Sequence, residues 1–319
     1  MRARRQVRGD EPAPASADRA AFCAGTGTRK TVSSPSMRIL IPVLALASTL
    51  VPTLAPAQLL AAKDGPIAYG HHHLNVSDLA AHRTFWVDGL GGTPVVIGTS
   101  KAERIKFRNV LVFFTEQKPT GGTRGTVVNH VGFEVPNLRA AIDRLKAAGF
   151  PMATRGEAPA TMPVVDDIAS NPSGSKLAFV LGPDETKVEL IENTAVPAMV
   201  MHHIHWAAPD VAAMKAWYVQ MLGAKPGMRG TFEAGDLPGV NLTFGGAAGA
   251  TVVPTKGRAL DHIGFEVRNL EQLVKDLEAK GVKFDRPYTK VPALGIAIAF
   301  LTDPWGTYIE LTEGLAAVP

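Results

Sequence analysis

The chain has 319 residues, with 33 Lys and Arg against 29 Asp and Glu and a single cysteine. That length exceeds one typical domain and fits two units of roughly 100 to 150 residues beside a leader. Residues 1–57 hold eight of the basic and three of the acidic residues, leaving 25 against 26. This balance argues against nucleic acid or an anionic membrane as partner, and for small molecules.

Residues 1–36 are rich in Arg, Ala and Ser without periodicity, and read as a disordered extension or as sequence upstream of a start at Met37. From Met37 the run "MRILIPVLALASTLVPTLAPAQ" has a basic start, an apolar stretch and a small-x-small site, Ala55-Pro56-Ala57. Residues 37–57 therefore read as a signal peptide, cleaved to leave Gln58 first on a periplasmic or secreted protein with no membrane segment. The only cysteine, Cys23, precedes that site, so the mature chain needs no disulfide.

The next elements repeat. "HHHLNVSDLAAHRTFWVDGLGG" aligns with "HHIHWAAPDVAAMKAWYVQMLGA" by Asp78 and Asp210, an offset of 132 that carries His71 onto His203 and His73 onto His205. "NHVGFEVPNL" and "DHIGFEVRNL" recur at the same offset, carrying His130 onto His262. Two homologous domains follow, residues 58–197 and 198–319, each with a finer internal repeat. An apolar strand opening with His meets an Asp or Asn that caps a helix, and three strands come next. The pattern is βαβββ four times, starting near residues 68, 129, 201 and 261, an α+β plan with helices outside curved sheets. After Asn137, Leu138, Ile142 and Leu145 share a helical face with Gly149 at C′; Leu270, Leu273, Leu277 and Gly281 do the same after Asn269.

Strand alternation places His71 and His73 on one face and His72 on the other, and separates His203 and His205 from His202 in the same way. Each half ends in a strand with a glutamate among apolar residues, Glu189 in "KVELIEN" and Glu310 in "YIELTEG". A carboxylate there must reach solvent, a partner charge or a cation. Two imidazoles and a carboxylate on adjacent inward faces form a facial site for Fe, Mn, Zn, Ni or Co as the divalent ion, with positions open to substrate. Phe85, Trp86, Trp217 and Tyr218 are read as core, His82 as solvated, and His72 and His202 as facing the helices or solvent without a role.

"HHHLNVSDL…FWVDGLGG", "HVGFEV", "HIGFEV" and "DPWGTYIEL" resemble the vicinal oxygen chelate superfamily, which includes glyoxalase I, extradiol dioxygenases and bleomycin-resistance proteins. The resemblance implies four βαβββ modules paired into two half-barrel domains, each around a divalent metal. Carried over by motif, the ligands are His71, His130 and Glu189 in the first half and His203, His262 and Glu310 in the second. A swapped pairing would instead join His71 with His262 and Glu310, and His203 with His130 and Glu189. The chain departs from glyoxalase I, which adds a carboxylate where Phe114 and Asn241 stand, and from the dioxygenases, whose tyrosine is replaced by Phe179 and Phe300. His73 and His205, some 7 Å along the strand from a ligand, line the pocket as acid/base groups rather than as fourth ligands. The expectation is an exported metal-dependent enzyme of lyase or isomerase chemistry, with dioxygenase second, acting as monomer or homodimer. The rival is a metal-free protein that binds or sequesters a small molecule.

Overall fold

A computed structural model describes residues 65–317. The leader expectations, with Cys23 and the Ala55-Pro56-Ala57 site, lie outside the described residues. Among the described residues no helix is long and apolar enough to cross a membrane.

Four modules follow one another. The first is β1 (Ile67–Val76), α1 (Leu79–Arg83) continuing as a π-helical turn over Thr84–Gly89, β2 (Thr93–Val95), β3 (Arg104–Lys106) and β4 (Leu111–Glu116). The second is β5 (Val128–Val135), α2 (Leu138–Ala147), a short α3 (Thr154–Glu157), β6 (Val164–Val165), β7 (Ile168–Ser170), β8 (Lys176–Leu181) and β9 (Lys187–Glu192). The third is β10 (Val200–Ala208), α4 (Val211–Leu222), β11 (Lys225–Arg229), β12 (Phe232–Leu237) and β13 (Val240–Gly246). The fourth is β14 (Leu260–Val267), α5 (Leu270–Ala279), β15 (Phe284–Val291), β16 (Ile296–Thr302) and β17 (Tyr308–Glu313).

The four starts fall where the repeat places them, and so do the caps. Asp78, Asn137, Asp210 and Asn269 each accept a hydrogen bond from the backbone amide three residues on, at 3.0, 2.9, 3.0 and 3.2 Å. Each such cap is worth about 1 kcal/mol. Gly149 and Gly281 end their helices at φ +86° and +88°, a conformation that costs glycine nothing. Leu138, Ile142, Leu145, Leu270 and Leu277 are buried, with Leu273 packed partly against the same core.

The modules pair across the sequence halves. One eight-stranded sheet runs β15-β16-β17-β14-β1-β4-β3-β2, joining the first module to the fourth. The nine-stranded sheet runs β11-β12-β13-β10-β5-β9-β8-β7-β6, joining the third to the second. The segments 58–197 and 198–319 thus each contribute one module to each sheet. A shared core of Trp86, Trp206, Tyr218, Phe133 and Phe265, all fully buried, packs the helices and convex faces together. Cross-sheet bonds fix the contact: Trp206 Nε1 donates to Thr307 Oγ1 (3.1 Å), and the Tyr218 hydroxyl donates to Asp303 Oδ2 (2.9 Å). Asp303 belongs to the "DPWG" turn and also accepts from the amides of Trp305 and Thr307, so that turn ties β17 to α4.

Phe85, Trp86 and Tyr218 are buried and Trp217 partly so. His82 corrects the sequence reading: it is fully buried, with Nε2 3.1 Å from Asp184 Oδ2. Its helix faces the turn before β9 rather than water, because Asp184, at φ 54°, swings back to accept from Ser77 as well. His72 is also fully buried, beside Tyr69, Trp86 and Phe133.

Two candidate metal centres

Each centre rests on a strand register. β1 runs antiparallel to β14, with His73 opposite His262 and His71 opposite Gly264, and β14 runs parallel to β17 with Gly264 opposite Glu310. In the other sheet His205 faces His130, His203 faces Gly132, and Gly132 faces Glu189. A side chain at Gly264 or Gly132 would collide with the ring of His71 or His203. The glycine of "HIG" and "HVG" lets that ring lie across the middle strand and reach the glutamate beyond.

The structure brings together His71, His262 and Glu310 in one cluster and His130, Glu189, His203 and His205 in the other, each with ligating atoms within 4.8 Å of one another. His71 does not meet His130 or Glu189, and His203 does not meet His262 or Glu310. The first-strand histidines are shared out by the crossed sheets, because the hydrogen-bonding edge of β1 is taken by β14 rather than β5. Six of these seven histidines and glutamates are buried, and His205 is half-buried.

In the first cluster Glu310 Oε2 lies 2.9 Å from His71 Nε2 and 3.0 Å from His262 Nε2. His262 Nδ1 lies 2.6 Å from Asp261 Oδ1, whose other oxygen accepts from Asn75 and the Gly257 amide. In the second, Glu189 Oε2 lies 2.8 Å from His130 Nε2 and 3.0 Å from His203 Nε2, and the two nitrogens are 3.4 Å apart. His130 Nδ1 lies 2.8 Å from Asn129 Oδ1. Asn129 and Asp261 hold the Nδ1 edges of the His130 and His262 rings, leaving each Nε2 turned toward a carboxylate oxygen. The donor set of imidazole and carboxylate suits a divalent transition metal.

Electrostatics agree. Burial alone would raise both glutamates, but the neighbouring histidines outweigh it and hold Glu189 and Glu310 well below the usual carboxylate range. Burial, only partly offset by Glu189, pushes His130 and His203 down to about 4, so both are neutral ligands at ordinary pH. For His262 burial is overcome by the bonds to Asp261 and Glu310, and its pKa is raised.

The second histidines differ. His73 Nε2 is 2.8 Å from Thr115 Oγ1, whereas a ligating nitrogen of His205 lies within 4.8 Å of the ligating atoms of its cluster. The reason lies on the neighbouring strand. Thr115 in β4 and Gly245 in β13 occupy equivalent places, two residues beyond the partners of His73 and His205. Gly245 offers no hydroxyl, and a Cβ there would meet His205 Nε2. Burial, then the charge of His130, lowers His205 to about 3. Phe179 and Phe300 stand edge-on to His130 and His262, each at 5.3 Å. Asn241 faces His203 across the sheet, while Phe114 points away toward His82.

The surroundings separate the two centres. Over the first, Ile97, Leu111, Phe113, Ile296, Ile298 and Leu315 form their own buried apolar cluster, with Phe113 stacked on His71 at 4.5 Å. The second opens into a cleft of about 650 Å³ walled by Phe179, Phe232, Lys187, Arg229 and His202 among others. His202, given no role from sequence, sits at a β-bulge that turns it toward this cleft, with Nδ1 2.9 Å from His203 Nδ1. A larger cavity of about 790 Å³, lined by Lys106, Arg108, Arg144 and Met199, lies away from both clusters and includes none of their ligating residues. Of these two cavities, the smaller one reaches a cluster.

The sequence missed Asn129 and Asp261, which orient the ligand rings, and the cleft cations. The repeated dipeptides Asn129-His130 and Asp261-His262 were the available signal; no pattern marked Arg229.

No curated protein matches the chain by sequence. Among solved structures it is similar to glyoxalase I from Zea mays, at 16% identity and TM-score 0.58, covering 79% of this chain and 94% of that one. It is also similar to a putative dioxygenase from Bacillus subtilis subsp. subtilis str. 168, at 13% identity and TM-score 0.52, covering 78% and 86%. At these identities the likeness is one of fold. The model of the Glyoxalase/Bleomycin resistance protein/Dioxygenase superfamily matches residues 68–190 and 200–311, and with that match over most of its length the chain belongs to this superfamily.

Proposed function

We propose that the protein is an exported, metal-dependent enzyme that works on small substrates with two neighbouring oxygens, by lyase or isomerase chemistry at the open centre. The observation that carries this reading is the convergence of His130, His203, Glu189 and His205 on the wall of a cleft large enough for a small molecule. A divalent ion held there supplies Lewis-acid polarisation of the substrate oxygens. His130, His203 and Glu189 hold it, oriented by Asn129 and His202. His205, on the wall of the cleft beside these residues, is the group placed to take a proton from the carbon beside the substrate oxygens and return it. Phe179 and Phe232 keep water off the reacting atoms.

Metal analysis of untagged protein prepared without chelators tests the first step. Bound divalent metal is expected, with less in His130→Ala and in His262→Ala; unchanged content in both variants would replace this reading with that of a metal-free binding protein. Proton exchange at the carbons of hydroxyacetone in D₂O, followed by NMR, tests the second. His205→Ala should retain the metal and slow exchange by roughly 10² to 10⁴. Export rests on the apolar run after Met37: in a Gram-negative cell the mature chain should begin at Gln58 in the periplasm, and a cytoplasmic product retaining residues 1–57 would end that part of the proposal.

A further inference from the structure

The open centre and its counterpart differ at one position beside the metal ligands. Pairing the halves at the same offset of 132 sets "TPVVIGT" (93–99) on "KPGMRGT" (225–231), with Pro, Gly and Thr in register and Ile97 in the place of Arg229. Ile97 is buried in the apolar plug over His71. Arg229 instead lines the cleft, with its guanidinium 3.6 Å from Glu189 Oε1, the carboxylate oxygen that the histidines leave free.

The other cleft cations are committed elsewhere. Lys187 Nζ is 2.6 Å from Glu157, and Lys176 Nζ is 2.6 Å from Glu192. Arg229 faces a carboxylate whose charge is taken up by the metal once one is bound, and 21% of its side chain stays exposed to the cleft. Of the charged residues lining the cleft, Lys176, Lys187 and Arg229 outnumber Glu157 and Glu189, and a divalent ion makes the balance more positive. A guanidinium presents paired donors in a fixed fork that matches a carboxylate.

We propose that Arg229 is the specificity-determining residue of the open centre, selecting substrates that carry a carboxylate on or beside the chelating oxygens, the class of 2-hydroxy and 2-oxo acids. This rests on the metal-enzyme reading above. One carboxylate oxygen shares the metal with the neighbouring oxygen, and Arg229 donates to the other.

Calorimetric titration of the full, Mn(II)-loaded chain with lactate and with lactamide, its neutral isostere, tests this. Lactate should bind at least about tenfold more tightly, the effect of one charge-assisted contact. In Arg229→Gln the preference for lactate should shrink by about tenfold, to the part that the metal charge alone supplies, with lactamide affinity and metal content unchanged; Arg229→Lys should keep more of the preference. Retention of the preference in Arg229→Gln, or equal loss for both ligands, overturns the proposal. A wild-type chain that holds no metal overturns the enzyme reading instead, whereas bound metal without discrimination between the ligands sinks only the role of Arg229.

Discussion

The two centres have corresponding ligands on corresponding strands, yet one lies against a buried apolar cluster and the other lines a cleft. Around His71, His262 and Glu310 the concave sheet face carries Leu111, Phe113, Ile296 and Ile298, and the β2–β3 loop closes over it through Thr99, whose amide donates to Ala293 O (2.9 Å). Around His130, His203 and Glu189 the equivalent strand positions are Asn241 and Thr243, and β11 brings Arg229 rather than an apolar cap. A histidine–glutamate triad is therefore compatible with two different fates. The neighbouring residues decide what stands beside the triad, apolar side chains in one case and a cleft with an arginine in the other.

The largest expected effect breaks the comparison at its root. If the sites are crossed, His71→Ala with His262→Ala should leave one ion per chain, whereas His71→Ala with His130→Ala should leave none, each ligand loss costing at least an order of magnitude in affinity. Metal stoichiometry by mass spectrometry under native conditions distinguishes them; the reverse pattern would mean the sheets pair within the sequence halves.

Next is the cover. Phe113→Ala should cost about 3 kcal/mol or more in denaturant unfolding and open the first centre. In the wild type a chelator should strip metal in a fast and a slow phase, the fast one missing from His130→Ala. In Phe113→Ala the slow phase should quicken. Two equal phases would show that the apolar plug does not guard the metal.

A smaller effect sharpens the contrast between the second histidines. Gly245→Thr places a side chain against His205 Nε2 and should turn that ring away from the cluster, slowing proton exchange at the open centre by about tenfold or more while both centres keep their metal. Thr115→Gly should release His73 with little change in stability. Proton exchange followed by NMR reads the first and denaturant unfolding the second.

The smallest effect concerns pH. Burial holds His72 at about 3, where the equivalent position of the third module is Ile204. The unfolded chain takes up the proton near 6.5 and the folded chain does not, so the stability tied to neutral His72 is lost as pH falls from about 6.5 toward 3. His72→Ile removes that term, and its unfolding midpoint should fall less steeply below pH 6.5 than the wild type's, whatever the change at pH 8. Parallel pH profiles would refute the burial argument.

What the sequence determined by itself is local. The 3.6 and 2.0 periodicities, the Asp and Asn caps and the His and Glu residues of both centres could be read because each depends on neighbours a few residues away. Glycines 132 and 264 were present in the motif, but their purpose, giving room to a ring from another strand, appears only once that strand is in place. The grouping of ligands was decided by tertiary structure, because homologous modules offer interchangeable strand edges and a repeat at a fixed offset cannot say which edges meet. His82 illustrates the same limit, since a histidine on a short helix looks solvated until the Asp184 turn from another module packs onto it. The surroundings of the two centres were decided in space for a further reason: Ile97, in the loop after β2, and Arg229, at the end of the edge strand β11, acquire meaning only from the face they lie against.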